Sequence, residues 1–333
     1  MLIAHHPRVR LAHLPTPLER LDRLSAELGG PTIWMKRDDC TGLAGGGNKT
    51  RKLEFLIAAA LEADATVVVT PGATQSNHAR QTAAAAARFG LKCHLVLENP
   101  IGSEDIEYLS NGNVLLDRLF GATIEMVGEG EESAVVLQAA ADRLAESDEK
   151  PYVIPSGGSN EIGALGYANA AMEFVSQAND IGLSVSRVVH ATGSAGTQAG
   201  LVAGLAAMRS GVPTLGISVM REAAPQERLV LQLAERTAAH IGAPGCVSED
   251  DVAVDSGYVG PGYGLVTDGM VRALELVART EGIILDPVYS GKAMAGLIDL
   301  ASRGEFADSD DVVFLHTGGA QGLPGYRSAI EEQ

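Results

Sequence analysis

Short runs of β-branched and aliphatic residues alternate with longer Ala- and Leu-rich segments, and this alternation constrains the fold more than any other feature of the sequence. Eight such runs lie at residues 32–39, 66–72, 92–99, 123–127, 152–158, 187–193, 214–220 and 311–319. Segments of helical composition lie at 51–63, 78–90, 197–210 and 292–304. Continuous apolar strands separated by helices are typical of parallel sheets that are covered on both faces. The pattern therefore predicts an α/β fold, and 333 residues suffice for two such regions with a cleft between them.

A first helix is predicted close to the N-terminus. Thr16 suits an N-cap, Pro17 suits the first helical position, and Glu19 completes a capping box. The Gly29-Gly30 pair predicts the end of this helix.

Charge and cysteine usage narrow the possible partners and the compartment. A formal net charge of -17 repels phosphate backbones and anionic lipid, which argues against nucleic-acid and membrane partners. The three cysteines, Cys40, Cys93 and Cys246, form neither a disulfide framework nor a CxxC pair, which suits a reducing cytoplasm. The chain shows no secretory signal pattern and no apolar run of about 20 residues. These features predict a cytoplasmic globular protein.

The glycine-rich segment 41–56, TGLAGGGNKTRKLEFL, contains the first candidate for chemistry. Asn48 separates the glycines from Lys49, so the phosphate-loop pattern fails by one residue. Cations in the first turn of a helix oppose its dipole, and partial burial would lower the pKa of a lysine there further. Lys49 is therefore a candidate amine nucleophile for an aldehyde cofactor. A glycine-rich loop with solvated lysines explains the same segment, and the residues alone do not separate the two interpretations.

Two strand ends carry further candidates. Ser76, Asn77 and His78 follow the strand at 66–72, at the edge of a parallel sheet where ligands bind, although Ser76 also suits a simple helix cap. In segment 187–205 a strand runs into Gly193-Ser194-Ala195-Gly196-Thr197 before a helix. This spacing is not a dinucleotide fingerprint, but amides at a helix N-terminus with two hydroxyls beside them favour a single phosphate over a plain tight turn.

The remaining candidates are tyrosines in glycine-rich turns and one threonine. Tyr258 and Tyr263 lie within GYVGPGYG, Tyr289 and Ser290 precede a helix, and Thr317 follows a buried strand. The eight histidines show no metal-binding spacing, and no G-x-S-x-G pattern indicates a hydrolase.

Six blocks together resemble one family: GGGNKTRKLEFL, ATQSNHARQTAA, GGSNEIGALGY, ATGSAGTQAGL, LDPVYSGKAMAGL and HTGGA. They are similar to the D-cysteine desulfhydrase and 1-aminocyclopropane-1-carboxylate deaminase family, and within it most similar to L-cysteate sulfo-lyases. The resemblance covers residues 8 to 326. It implies a pyridoxal phosphate enzyme of fold type II, the tryptophan synthase β-like fold, with two open parallel-sheet domains and the cofactor in the cleft. It also implies a larger cofactor-binding domain at 1–48 and 162–333, a smaller domain at 49–161, and a homodimer.

The resemblance assigns expected roles to individual residues. Lys49 matches the Schiff-base lysine, and freed Lys49 would act as general base. Asn77 would contact the phenolic oxygen of the cofactor, and Ser76, beside Asn77 and His78, would hold the substrate carboxylate. Tyr263 and Tyr289 match active-site tyrosines that contact the substrate. The residues expected to bind the rest of the cofactor are Gly193, Ser194, Ala195, Gly196, Thr197, Ser290 and Thr317.

The expected reaction is a β-elimination on a sulfur-containing amino acid. The cyclopropane deaminases have Glu where this chain has Ser290, and an apolar residue where it has Thr317. Neutral hydroxyls leave the cofactor less electrophilic, which disfavours ring opening and favours elimination. The resemblance ranks L-cysteate, giving pyruvate, sulfite and ammonia, above D-cysteine, giving sulfide. The cyclopropane substrate, serine or threonine dehydration, and a non-catalytic phosphometabolite-binding protein rank lower.

Overall fold

The computed structural model describes residues 3–332, and within that range two sheets form the framework. The strands are β1 (Leu18–Arg20), β2 (Thr32–Arg37), β3 (Val67–Ala73), β4 (Lys92–Glu98), β5 (Thr123–Met126), β6 (Pro151–Val153), β7 (Val185–Thr192), β8 (Thr214–Ser218), β9 (Val254–Asp255) and β10 (Asp311–His316). One sheet has the order β1-β2-β10-β7-β8-β9, and the other has the order β5-β4-β3-β6. All neighbouring strands pair in parallel except β1 and β2. The predicted α/β fold with two parallel sheets is confirmed.

Helices cover the sheets. They are α1 (Asp22–Leu28), α2 (Lys49–Glu62), α3 (Asn77–Arg88), α4 (Ile106–Ser110), α5 (Asn113–Leu119), α6 (Ser133–Glu146), α7 (Glu161–Asp180), α8 (Gly196–Ala207), α9 (Ala223–His240), α10 (Asp268–Glu281), α11 (Ser290–Ser302) and α12 (Arg327–Glu331). The larger sheet packs against helices on both faces: α1, α10 and α11 cover one face, and α7 and α8 cover the other. Buried aliphatic side chains fill the interfaces. No helix within residues 3–332 has the length and apolar character required to cross a membrane.

The predicted first helix is wrong at its start. Leu18–Arg20 is a strand that pairs antiparallel with Lys36, Met35 and Trp34, and the helix begins only at Asp22. The Thr16 hydroxyl donates to Asp38 Oδ1 at 2.8 Å instead of capping a helix. The predicted end is correct, because Gly29 takes the left-handed conformation at the C-cap. A buried partner for Thr16, distant in sequence, thus overrode a local capping pattern.

Helix α2 is held by buried charges on both sides. Asp38 accepts hydrogen bonds from Arg51 Nε and Nη2, both at 2.8 Å, and from the Tyr167 hydroxyl at 2.6 Å. Arg51 also pairs with Glu173 of α7. One turn further on, Glu54 is paired with Arg8 and accepts from the backbone amide of Leu11 at 2.9 Å. These contacts fix the helix whose first residue is Lys49. The domain boundaries proposed from the sequence stay a prediction.

Candidate active site

A cleft opens where the carboxyl ends of the central strands meet, which is the position at which open α/β sheets bind ligands. Strands β2, β10 and β7 are neighbours in the larger sheet, so the segments that follow them approach one another. The inner part of this cleft, called here the inner cleft, is lined by Asn48, Lys49, Asn77, Ala191, Thr192, Gly193, Ser194, Ala195, Thr197, Gln198, Tyr289 and Thr317. Its wider mouth, the outer cleft, shares Lys49, Ser194 and Tyr289 with it. Ser76, His78 and Tyr263 also line the outer cleft.

Lys49 lies at the junction of the two parts. The glycine run before it is required by close packing, since a Cβ on Gly46 would lie 1.8 Å from the Asp39 carbonyl oxygen. The run places Lys49 at the first position of α2. Burial lowers the pKa of Lys49 from 10.5 to about 8. The neutral, nucleophilic form of this amine is therefore far more populated near neutral pH than that of an ordinary lysine, and it predominates above about pH 8.

Lys292 is a second lysine near a candidate residue, since it follows Tyr289 by three positions, but it does not line either part of the cleft. Its Nζ donates to the carbonyl oxygens of Val259 at 2.6 Å and Gly262 at 2.9 Å. Lys292 therefore binds the loop at residues 259–262 to α11. This geometry favours Lys49 as the reactive amine.

A polar cup lies at the start of α8. Ala195 has a φ of 72°, a left-handed conformation that is uncommon for a residue with a side chain and that is often found at functional sites. The amides of Thr197 and Gln198, in the first turn, have no hydrogen-bond acceptor within residues 3–332. The Ser194 hydroxyl, paired with Ser159 at 2.9 Å, and the Thr197 hydroxyl, which accepts from Asn48 at 2.9 Å, complete the cup.

Lys52 places a buried amine beside the cup. Its side chain is fully buried, and a Cβ on Gly196 would lie 2.9 Å from its Nζ. The Nζ donates to Gly157 O at 3.0 Å and to Ser159 Oγ at 3.4 Å, and it also lies close to the Lys49 amine. Burial lowers the pKa of Lys52 well below its usual value, and the charge of Lys49 lowers it further. An anion at the free helix amides would provide the counter-charge that the ammonium form of this buried lysine requires, so the cup and Lys52 together suit an anion.

The N-terminus of α3 faces the cleft from the smaller sheet. Ser76 is the N-cap and accepts from the amide of Ala79 at 3.1 Å, as the sequence predicts. Asn77 Oδ1 accepts from Arg80 Nη1 at 2.9 Å and from Asn113 Nδ2 at 3.1 Å, so its Nδ2 donor is left for the cleft. His78 Nε2 pairs with the Thr70 hydroxyl at 2.9 Å, and burial holds the pKa of His78 well below its usual value. The imidazole is therefore neutral.

Two tyrosines close the cleft opposite Lys49. The hydroxyls of Tyr263 and Tyr289 are hydrogen-bonded to each other. Burial raises the pKa of both phenols above their usual value, so both stay protonated at neutral pH. Protonated hydroxyls in a chain can pass a proton to a group that leaves the substrate.

Thr317 and Ser290, the two hydroxyls expected at the pyridine ring, differ in their surroundings. The Thr317 hydroxyl lines the inner cleft and makes no hydrogen bond within the described range. Ser290 Oγ instead donates to Asp286 Oδ1 at 2.6 Å and accepts from the Asp286 amide at 2.8 Å. Both capacities of Ser290 are thus used, and it lies outside the residues that line the cleft. Thr317 is therefore the better candidate for a contact with a ligand.

Comparison with known proteins identifies the family. A family model described as pyridoxal-phosphate dependent enzyme matches residues 9–318. The chain belongs to the pyridoxal-phosphate dependent enzymes. It is 47% identical over 330 residues to a D-cysteine desulfhydrase from Salmonella typhi, with 98% of this chain and 99% of that protein covered. A D-cysteine desulfhydrase from Salmonella newport is 46% identical with the same coverage.

Solved structures agree with this assignment. An ACC deaminase homologue superposes with a TM-score of 0.89 at 37% identity, covering 99% of this chain and 97% of its own. The processed form of threonine deaminase isoform 2 from Solanum lycopersicum superposes with a TM-score of 0.66 at 18% identity, covering 95% of this chain and 82% of its own. The second likeness shows the fold alone. The predicted fold type and the predicted pyridoxal phosphate dependence are both confirmed.

The residues that line the cleft fit the functional groups of pyridoxal phosphate, the cofactor of this family. An amine of lowered pKa at Lys49 suits an aldehyde, and the cup with Lys52 suits a phosphate. Asn77 Nδ2 and the Thr317 hydroxyl are free polar groups between these two ends, where the substituted ring would lie. The individual contacts predicted from the sequence stay predictions, but eleven of the thirteen predicted residues line one continuous cleft. The exceptions are Ser290 and Gly196, which begins α8 beside the cup.

Sequence reasoning missed three residues of this site. Lys52 was not assigned a role, although its spacing of three residues from Lys49 puts both on one face of α2. Ser159 bonds the amide of Gly196 at 3.1 Å and Ser194, and nothing in its local sequence indicates this. Arg80 reaches Asn77 from inside α3. Only the tertiary structure brings Ser159 and Arg80 to the site.

Proposed function

We propose that the protein is a D-cysteine desulfhydrase, which converts D-cysteine and water into pyruvate, hydrogen sulfide and ammonia. The coverage and identity to the two Salmonella desulfhydrases support this choice. They favour the second of the two substrates that the sequence resemblance suggested, and no relative named above is an L-cysteate sulfo-lyase.

The charge of the cleft is the observation that carries the choice between the two substrates. Of the lysines and arginines that the structure describes, Lys49 alone lines the inner and outer cleft, and Glu98 lines the mouth. Cysteate has a sulfonate in addition to its carboxylate, and an anion taken into a protein of net charge -17 needs local donors. The thiol of cysteine, by contrast, is neutral in the bound substrate. It becomes a small anion only when the sulfur leaves. A cleft with an acidic mouth and no second cation suits cysteine better.

In the proposed reaction, Ser76 Oγ and the first amides of α3 hold the substrate carboxylate, since helix N-termini bind anions. Pyridoxal phosphate, when bound, supplies an electron sink for the charge that develops at the α-carbon. Lys49 Nζ accepts the α-proton, which requires the neutral amine that burial produces. The hydroxyl pair of Tyr263 and Tyr289 donates a proton towards the departing sulfur. His78, as a neutral imidazole, packs behind the carboxylate site and carries no charge that would compete with it.

A side-by-side assay of the purified enzyme tests this proposal. D-cysteine, L-cysteine, L-cysteate and 1-aminocyclopropane-1-carboxylate are supplied at matched concentrations, and sulfide, sulfite and the oxo acids are measured. We expect sulfide and pyruvate from D-cysteine in clear excess over sulfite from L-cysteate. Sulfite dominating would reverse the choice of substrate, and an oxo acid from the cyclopropane substrate alone would replace elimination by ring opening.

A variant of the mouth tests the charge argument separately. Glu98→Lys replaces an exposed anion at the mouth by a cation. A change of about 1 kcal/mol in the interaction with the sulfonate corresponds to about a five-fold change in kcat/KM. We expect the ratio of kcat/KM for L-cysteate over D-cysteine to rise by about that factor. Glu98→Gln, which is matched in size, should give a smaller rise. An unchanged ratio in both variants would remove the electrostatic reason for preferring cysteine.

We also propose that the enzyme is a homodimer, as the resemblance implies. Light scattering on the eluting protein measures this directly, and a mass of about 69 kDa, twice the 34.6 kDa of one chain, is expected.

A further inference from the structure

A buried polar cluster lies behind Asn77, on the side away from the cleft. It consists of Arg80 on α3 with Asn113 and Asp117 on α5, and none of the three is exposed. Arg80 Nη1 donates to Asn77 Oδ1 at 2.9 Å and to Asn113 Oδ1 at 2.5 Å. Arg80 is thus the link between α5 and a residue of the cofactor site.

The cluster determines which end of the Asn77 amide faces the cleft. A guanidinium has donors only, so Arg80 can meet Asn77 only at its oxygen. Asn113 is turned the same way, since its Oδ1 accepts from Arg80 and its Nδ2 donates to Asn77 Oδ1 and to Gln75 O at 3.1 Å. With both donors on Oδ1, the Asn77 Nδ2 is directed towards the cleft. This nitrogen packs closely against Gly319, because a Cβ on Gly319 would lie only 2.4 Å from it.

Arg80 also holds the loop before Lys49. Its Nη2 donates to Gly46 O at 3.0 Å, in the glycine run that leads into α2. One guanidinium therefore connects the two segments that carry Asn77 and Lys49. Displacement of Arg80 would move both.

Asp117 has no contact that explains its place in the core. Neither of its carboxylate oxygens, nor Arg80 Nε, has a hydrogen-bond partner within residues 3–332. Burial lowers the pKa of Arg80 to about 10, and the charge of Asp117 is the main influence that opposes this fall. Burial likewise raises the pKa of Asp117 to about 7, and the charge of Arg80 is the main influence that opposes this rise. Arginine stays protonated in proteins, so a buried guanidinium requires a counter-charge. Asp117 supplies it.

We propose that Asp117 is a positioning residue, whose carboxylate keeps the Arg80 guanidinium in place so that Arg80 directs the Asn77 amide nitrogen and the Gly46 backbone towards the cofactor. This inference rests on the proposed contact between Asn77 and the cofactor. It does not depend on which amino acid is the substrate. The cofactor itself is therefore the probe.

The test compares Asp117→Asn with Thr82→Val in the enzyme freed of cofactor and then titrated with pyridoxal phosphate at about pH 8, where Asp117 of the wild type is ionised. Thr82 is a matched control, because it is buried on the same helix with an unpartnered hydroxyl and does not contact the cluster. For Asp117→Asn we expect the Kd for pyridoxal phosphate to rise about ten-fold or more, the effect of misplacing one charge-assisted hydrogen bond, and the visible absorbance band of the bound cofactor to shift. Thr82→Val should stay within about two-fold of the wild type.

Asn77→Ala separates positioning from general damage to the fold. On its own it should raise the Kd, and Asp117→Asn added to it should raise the Kd less than it does in the wild type, because the part that acts through Asn77 is already lost and only the part that acts through Gly46 remains. An equal effect of Asp117→Asn in both backgrounds would overturn the inference, and so would wild-type binding by the single variant. If Asp117→Asn does not fold, Arg80→Lys replaces it, since a lysine keeps the charge but cannot reach Asn77 and Gly46 together. A wild-type Kd and band for Arg80→Lys would overturn the inference.

The outcomes also separate this inference from the proposals on which it rests. Asn77→Ala with wild-type cofactor affinity would refute the role of Asn77, and the inference with it. Failure of the desulfhydrase proposal would appear only in the substrate assay, and would leave the cofactor titrations unchanged.

Discussion

Replacing Lys49 by Met should stabilise the protein once its cofactor has been removed. The Lys49 amine is enclosed by the cleft without a carboxylate in hydrogen-bond contact, and burial is the main cause of its lowered pKa. Methionine has a similar length and no charge, so the substitution removes the electrostatic cost without leaving a cavity. An enzyme that gains stability on losing its reactive lysine is the expected sign of an amine activated by burial.

The magnitude follows from the pKa. A fall from 10.5 to about 8 corresponds to about 3 kcal/mol at 1.36 kcal/mol per pKa unit. Below pH 8 the amine is protonated in both states, so the folded protein bears this whole cost. Between pH 8 and about 10.4 the unfolded chain binds a proton that the folded protein does not, and stability rises with pH. Lys49→Met should therefore gain about 3 kcal/mol at pH 7 and about 2 kcal/mol less at pH 9.5.

Urea unfolding of cofactor-free wild type and Lys49→Met at the two pH values measures this difference. Lys292→Met is the matched control, because burial also lowers the pKa of Lys292 to about 8. Its Nζ, however, holds two carbonyl oxygens that would lose their donor, at about 1–3 kcal/mol each. Lys292→Met should give no gain. A loss of stability in Lys49→Met, or a gain that does not depend on pH, would refute the account of Lys49 as a desolvated amine.

Three further outcomes follow from the site. Gly196→Ala should raise the Kd for pyridoxal phosphate about ten-fold or more, because its Cβ would lie 2.6 Å from Ser159 Oγ in the cup; equilibrium titration measures this, and unchanged affinity would contradict the cup. Tyr289→Phe should lower kcat about 100-fold with little effect on cofactor affinity, if its hydroxyl transfers a proton; equal losses in both would indicate a structural role. Asp38→Asn should cost about 3 kcal/mol in urea unfolding, since it removes the fully buried one of the two carboxylates that pair with Arg51, and a loss below about 1 kcal/mol would show that the ion pairs do not hold α2.

The fold could be predicted from the sequence because its signals are local and repeated. Each of the eight predicted strand segments overlaps one strand of the structure, since buried parallel strands are continuous apolar runs. The two missed strands, Leu18–Arg20 and Val254–Asp255, are short edge strands that owe their conformation to a neighbour. The same long-range pairing explains why the capping pattern at Thr16 failed.

The site could be predicted as far as its residues follow strand ends. Lys49, Ser76, the 193–197 segment and Thr317 all come directly after a strand or the loop it leads into, and α/β sheets gather such positions. Ser290 departs from the expectation because Asp286, four residues before it, captures its hydroxyl. Ser159, Arg80 and Asp117 could not be predicted, because their contacts span separate elements and leave no periodic signal.

Reduction of the enzyme with borohydride, followed by peptide mapping, tests most directly the claim that Lys49 holds the cofactor in this cleft. Reduction fixes pyridoxal phosphate to the lysine that carries it. We expect the label on Lys49 in the peptide around GGGNKTRK, and no label in Lys49→Met. A label on Lys52 or Lys292 in the wild-type enzyme would contradict the account.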